Sequence, residues 1–349
     1  MSEAVRAALA AIVEGRSLSL DEARLAMGAV MDGEATPAQL AALLVALRMR
    51  GETVEELAGF ASAMRERVLR VDAPVGTIDV VGTGGDGSGT FNISTASAFV
   101  VASAGVPVAK HGNRAITSRS GSADVLEALG VRIDHSAESA AASLREHGFA
   151  FLFAPSFHPA MKHAGPTRRE IGIRTSFNLI GPLTNPAGAR RALIGVGAAD
   201  SAARIAEVAG VLGTDRTMVV HGAGVDELPL DGSGVLYDVV DGRVDARLIE
   251  ATAFGLGAAP TGALAGGTAV DNAAIVESIF AGEPGPRRDV VLLNAGAALV
   301  AAGVAPDIAE GIDAARAALD AGKPADLLAR LRAEKVAGED LAAATPATA

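Results

Sequence analysis

The sequence has no cysteine, no tryptophan and a single tyrosine in 349 residues. Without cysteine there can be no disulfide scaffold, thiolate zinc site, iron–sulfur ligation or cysteine nucleophile. The chain also fits a reducing compartment. Aromatic residues make up 3% of it, too few for the stacking platforms that read single-stranded nucleic acid. Positive charge is short as well: 30 Lys and Arg against 41 Asp and Glu leave 30 − 41 = −11. That balance argues against broad binding to nucleic acid or anionic membranes. Long apolar runs are missing. The longest, from Val290 to Ala305, is interrupted by Asn294, is too short to cross a bilayer and reads as a buried helix. Glu3, Arg6 and Glu14 break up the N-terminus before a signal-peptide core can form. A cytoplasmic α/β protein is the expectation. Glycine is what the chain has in excess, with 41 residues where average usage is roughly 7%.

The first 72 residues read as helices. Ser19-Leu20-Asp21-Glu22, Thr36-Pro37-Ala38-Gln39 and Thr53-Val54-Glu55-Glu56 are capping boxes, each followed by an apolar stripe at helical spacing. Past Pro74 and Gly76 the period changes. Strands are expected at Thr77–Val81, Val106–Lys110, Phe149–Phe153, Arg191–Val196 and Thr217–Val220, with helices at Ala123–Leu129, Ala137–His147 and Ala202–Leu212. Continuous apolar strands between helices imply a mostly parallel sheet covered on both faces. Gly232 to Phe254 reads as a β-meander and the remainder, to about Leu331, as helical. Residues 337–349, rich in Ala, Thr and Pro, read as a frayed tail. No long-period repeat is present.

The richest glycine cluster is Gly82-Thr83-Gly84-Gly85-Asp86-Gly87-Ser88-Gly89. It follows a strand and precedes a helix, where backbone N–H groups can cradle phosphate. A dinucleotide fingerprint would put an acidic residue at the end of the next strand, roughly 20 residues on; Lys110-His111 stands there instead. Asn92-Ile93-Ser94-Thr95 then opens an apolar helix with three polar side chains where capping needs one. The next strand leads into Lys110-His111-Gly112-Asn113-Arg114, then Thr117, Ser118, Arg119, Ser120, Gly121 and Ser122. Two such loops on one sheet edge suggest a ligand with two separated phosphate groups.

Asp226-Glu227, in a glycine-rich turn after the strand Thr217–Val220, suit Mg²⁺, which prefers hard oxygen ligands bridged to substrate phosphates. A basic segment interrupts the β/α alternation. It holds His158, Lys162, His163, Arg168, Arg169 and Arg174. A guanidinium there could take a carboxylate substrate. Gly181-Pro182-Leu183-Thr184-Asn185-Pro186 reads as a rigid turn. His158 and His163 lack further zinc ligands, and no covalent nucleophile motif is present.

Together G-T-G-G-D (from Gly82), N-I-S-T (Asn92), K-H-G-N-R (Lys110), G-S-A-D (Gly121), H-P-A-M-K (His158), G-P-L-T-N-P (Gly181) and Asp226-Glu227 resemble the anthranilate phosphoribosyltransferases over nearly the whole chain. The resemblance implies a helical domain (1–72, joined by the excursion near 158–185), an α/β domain (73–336) of the nucleoside phosphorylase/phosphoribosyltransferase kind, and a homodimer formed through the helices. It implies Mg²⁺, two ions per subunit, and the second step of tryptophan biosynthesis. In that step anthranilate attacks 5-phosphoribosyl diphosphate, with no nucleic acid or membrane partner. By the same resemblance Gly82, Gly85, Asp86, Thr90, Asn92, Ile93, Ser94 and Thr95 would contact the phosphoribosyl diphosphate. So would Lys110, His111, Gly112, Asn113, Arg114, Ala115, Ile116, Thr117, Ser118 and Ser122. Gly82, Asn113 and Arg168 would contact anthranilate; Ser94, Asp226 and Glu227 would hold metal; His111 is a candidate proton acceptor. A pyrimidine-nucleoside-phosphorylase-like enzyme and a non-catalytic nucleic-acid-binding relative are the alternatives.

Overall fold

The computed structural model describes residues 2–115 and 119–344. The chain opens with α1 (Glu3–Val13), α2 (Leu20–Met31), α3 (Pro37–Arg50) and α4 (Val54–Glu66). All three capping boxes form: Ser19 with Glu22, Thr36 with Gln39 and Thr53 with Glu56. Each satisfies N–H groups that the first turn leaves without a partner, a contribution of about 1 kcal/mol per cap.

Strands and helices then alternate: β1 (Ile78–Gly82), α5 (Ile93–Ser103), β2 (Val108–Gly112), α6 (Ser122–Ala128), α7 (Ala137–His147) and β3 (Phe149–Phe153). The basic segment folds as α8 (Ala154–Phe157), α9 (Gly165–Ile171) and α10 (Ser176–Ile180). Next come β4 (Arg191–Gly195), α11 (Ala199–Val211), β5 (Arg216–Gly222), β6 (Ser233–Val240) and β7 (Arg243–Glu250). The chain closes with α12 (Ala269–Phe280), α13 (Pro286–Ala301), α14 (Ile308–Asp320) and α15 (Lys323–Ala344).

The seven strands form one sheet in the order β3-β2-β1-β4-β5-β6-β7. The first five are parallel, and β6 and β7 add an antiparallel hairpin to its edge. The fold is thus the expected α/β sheet with an N-terminal helical part, and three details differ. β2 runs on two residues past Lys110, its expected end, with His111 and Gly112 pairing with Leu152 and Phe153. β5 likewise reaches Gly222. Hydrogen bonding to a neighbour continues a strand past its apolar stretch. Lastly, α15 extends to Ala344, beyond the point where fraying was expected, in keeping with the high helix propensity of alanine and leucine. Residues 345–349 lie outside the described residues.

Alternation along the strands builds two large cores, and a third, smaller cluster forms around Val71, Ala109, Leu144, Ala150, Leu152 and Phe157. Ile78 and Val80 of β1, Leu193 of β4, and Met218 and Val220 of β5 face α5 and the C-terminal helices. Within α13 every residue from Val290 to Ala301 is buried, as expected of that run. On the other face Val81, Ala192, Ile194 and Val219 meet α11, α10 and the N-terminal helices. Each buried Leu or Val contributes about 1.5–3 kcal/mol.

Candidate active site

The strand order reverses at β1. The chain builds β2 and β3 to one side of it, then β4 and β5 to the other. Ligands of open α/β sheets bind at such a switch point, beyond the carboxyl ends of the strands. Here those ends are glycines: Gly82 on β1 and Gly195 on β4. A Cβ on Gly82 would collide with the Asp226 carboxylate, and one on Gly195 with the Asp226 backbone carbonyl. The two glycines therefore let the acidic turn after β5 press onto the end of the sheet.

The glycine loop wraps that turn. Gly84, Gly85, Gly87 and Gly89 have φ between 62° and 75°, a region costly for side-chain-bearing residues. The Gly84 N–H donates to Asp226 Oδ2 at 2.8 Å, and the Asp226 N–H donates to Asp86 Oδ2 at 3.3 Å. The loop's far end is pinned by the Gly266 N–H to Gly89 O and the Phe91 N–H to Leu264 O, both 2.9 Å. Nothing in the sequence marked 264–266 as a partner of this loop.

The acids are crowded and poor in counter-charge. Burial holds the Asp226 carboxyl above its ordinary range, and Asp86 pushes it further the same way. Glu227, 6% exposed, is raised well above the usual carboxylate range by burial and then by Asp226, against the opposing pull of Lys110 and the Ser94 N–H. Among the described residues no three His, Cys, Asp or Glu side chains gather into a cage for a metal. Buried hard oxygens short of positive charge, with too few protein ligands for a closed site, fit Mg²⁺. That ion binds through one or two carboxylates and completes its shell with water and substrate phosphates.

Lys110 is 1% exposed. Its Nζ donates to Val80 O at 2.5 Å and Ser94 Oγ at 3.2 Å. Burial lowers its pKa, while Asp79, Glu227 and Asp226 act in the opposite direction. Asn92 does not cap α5 with its side chain. Instead it donates to Ser120 O at 3.3 Å and accepts from Asn272 at 2.9 Å, joining the two polar loops to α12. Thr95 Oγ1 is buried without a partner.

In the second loop the Arg114 guanidinium is held by Asp124 and Glu127 of α6. Asp124 also accepts the Ala115 and Gly121 N–H groups at 3.0 and 2.9 Å, and Ser122 Oγ donates to Asn113 O at 3.3 Å. Ile116, Thr117 and Ser118 lie outside the described residues. Arg168 of α9 stacks over Phe177, 4.6 Å from the ring centre; its neighbour Arg169 is exposed. Arg174 Nη1 donates to Gly84 O at 2.5 Å, tying the basic segment to the glycine loop.

His111 is a poor proton acceptor. Burial, with His158 5.1 Å away ring to ring, drives its pKa down to about 3. A residue the sequence reading passed over is Asp79. Burial pushes it up to about 6, yet it accepts the His111 N–H at 3.1 Å and Asn185 Nδ2 at 2.7 Å. A lone acid inside the apolar run Ile78-Asp79-Val80-Val81 was its visible signal.

Residues 75–325 match the family described as the glycosyl transferase family α/β domain, and residues 6–68 its helical bundle domain. The anthranilate phosphoribosyltransferase of Thermomicrobium roseum is 53% identical over 92% of this chain and 94% of its own. That of Chloroflexus aggregans is 54% identical over 94% of this chain and 97% of its own. The chain belongs to the anthranilate phosphoribosyltransferase family. The anthranilate phosphoribosyltransferase of Thermus thermophilus superposes with a TM-score of 0.90 at 46% identity, covering 96% of this chain and 99% of its own. The Saccharomyces cerevisiae enzyme, solved with PRPP and Mg, gives 0.87 at 26% identity over 96% and 99%. Anthranilate phosphoribosyltransferases are pentosyltransferases: they join anthranilate to the phosphoribosyl group of 5-phospho-α-D-ribose 1-diphosphate (PRPP), releasing diphosphate, in tryptophan biosynthesis. This reading stands over the phosphorylase and nucleic-acid alternatives.

Proposed function

We propose that the reaction runs in the crevice at the carboxyl ends of β1 and β4. The observation that carries this is the junction there of a glycine loop, a buried lysine and a buried acid pair short of counter-charge. Gly82, Gly85, Asp86 and Thr90, with Asn92–Thr95 at the start of α5, would line the diphosphate. Lys110–Ala115 and Ser122 would hold the phosphoribosyl part. Asp226, Glu227 and Ser94 would hold Mg²⁺, two ions per subunit. Bound there, Mg²⁺ would neutralise the charge that builds on the departing diphosphate.

The amine nitrogen of anthranilate bonds to C1 of the ribose, the C1–oxygen bond breaks, and its electron pair leaves with the diphosphate. An aromatic amine is unprotonated at neutral pH, so no base must act before attack; its surplus proton leaves to water. The chain's work is positioning and charge stabilisation. Loop N–H groups and Lys110 face the leaving group, while Arg168 and Asn113 orient anthranilate, with the guanidinium on its carboxylate.

The enzyme is further read as cytoplasmic; no described helix is long and apolar enough to cross a membrane. A homodimer through the N-terminal helices is supported by the exposed Val13, Leu25 and Met49.

Loss of anthranilate fluorescence on adding PRPP, with and without Mg²⁺, tests this function directly. Mg²⁺-dependent loss is expected, and no consumption of anthranilate would overturn it. Arg168→Ala should raise the KM for anthranilate about 10- to 100-fold, the worth of a charged hydrogen bond, and that for PRPP far less. Equal rises in both would remove Arg168 from the carboxylate role.

A further inference from the structure

At the opposite, amino end of the strands lies a cavity of about 300 Å³. Its walls include the two places where the chain crosses between the helical layer and the sheet, residues 65–70 at the end of α4 and beyond and residues 182–190 between α10 and β4, together with the end of α11 and the turn into β5. The crossings are tied together. Arg65 Nε donates to Leu183 O at 2.6 Å, and the Val71 N–H donates to Pro186 O at 3.1 Å.

Three arginines, Arg65, Arg70 and Arg190, line this cavity, and the one acid among its walls is Asp79. Both Asp79 oxygens are already engaged by His111 and Asn185. Asp215 sits on Arg190 at 2.5 Å. Among the described residues no carboxylate lies within ion-pair distance of Arg65 or Arg70, whereas nearby Arg67 is paired with Asp32. Burial lowers the Arg65 pKa, and repulsion from Arg190 and Arg70 lowers it further. Arg65, part-buried, repelled by Arg190 and Arg70 and without an acid of its own, is costly there. The cost disappears if an anion occupies the space. The guanidinium fork suits phosphate oxygens, and the volume is at the low end for small-molecule sites.

We propose that this cavity is a second anion site, taking a phosphate group, free or carried on a small ester, between Arg65, Arg70 and Arg190. Such an anion bridges both crossings between the helical layer and the sheet.

The test uses the full-length protein with Mg²⁺ and PRPP at one equivalent and without anthranilate, so that the carboxyl-edge crevice is filled without excess phosphate ester. Thermal unfolding is followed against inorganic phosphate in one arm and glycerol 3-phosphate in the other. A saturable rise in Tm is expected in at least one arm, since a ligand of the native state stabilises it by mass action. The arm with the tighter binding identifies the free or the esterified anion. Arg70→Gln, at an exposed position whose side chain makes no hydrogen bond or ion pair among the described residues, and Arg65→Gln should each weaken that binding at least tenfold. Arg169→Gln, a surface arginine elsewhere, should leave it unchanged. No saturable effect in either arm, or equal affinity in wild type and Arg70→Gln, would overturn the proposal.

Discussion

Two buried carboxylate centres share β1, and they are built in opposite ways. Asp79 sits on the strand, and Asp226 with Glu227 presses on its last residue, Gly82. Burial raises the pKa at both centres. Around Asp79 the neighbours are donors: Asn185 Nδ2, the His111 N–H and, nearby, the Lys110 charge. Around Asp226 and Glu227 the neighbours include each other and Asp86. Burial alone therefore does not distinguish an acid that holds the fold from one that awaits a cation. Both centres receive hydrogen-bond donors; what distinguishes them is that further carboxylates crowd the second.

The largest expected effect breaks the second centre. Asp226→Asn with Glu227→Gln should cut Mg²⁺-dependent turnover about 1,000-fold, the loss of several kcal/mol of charge stabilisation. Urea unfolding without metal should show stability unchanged or improved, because like charges have been removed. A marked loss of stability would make this pair structural, like Asp79.

Next, Asn185→Ala should destabilise the protein by about 1–3 kcal/mol, the cost of leaving buried acceptors unsatisfied. It strips a donor from both Asp79 and the Ala109 carbonyl. Denaturant midpoints measure the effect, and kcat/KM should fall much less than in the acid-pair variant.

A smaller effect is in pH. Because the folded Asp79 holds its proton up to about 6 against an ordinary value of 3.8, folded protein binds more protons than unfolded between these values. The Asp79 contribution to stability is therefore present below about pH 4 and is lost as pH rises through about 6. Unfolding free energies at pH 4.5 and 7, quoted as roughly the ends of that window, should differ less in Asp79→Asn than in wild type. The smallest effect is Arg174→Ala, which removes one donor to Gly84 O and should raise the KM for PRPP roughly fivefold, or about 1 kcal/mol.

Much of this was legible in the chain. The capping boxes mark three helix starts through contacts within one turn, and the glycine loop and Asp226-Glu227 stand out because their composition is unusual where strands end. Long-range geometry was not legible. His111 and Gly112 lay past the expected strand end because only pairing with β3 shows that β2 continues through them. Arg114 was expected to contact the phosphoribosyl diphosphate, and the pattern does not show α6 folding Asp124 and Glu127 back onto it. Asn185 looked like part of a rigid turn; its partner Asp79 lies 106 residues away. The arginine cavity joins 65–70 to 182–190 and has no local signature at all.

The central claim is that the acids at the end of β1 bind the cation that carries PRPP. Calorimetric titration of PRPP with and without Mg²⁺, into wild type and into Asp226→Asn/Glu227→Gln, tests it most directly. Mg²⁺ should tighten PRPP binding in wild type and leave it nearly unchanged in the double variant. Equal tightening in both proteins would contradict the account, because the metal would then ride on the phosphates alone.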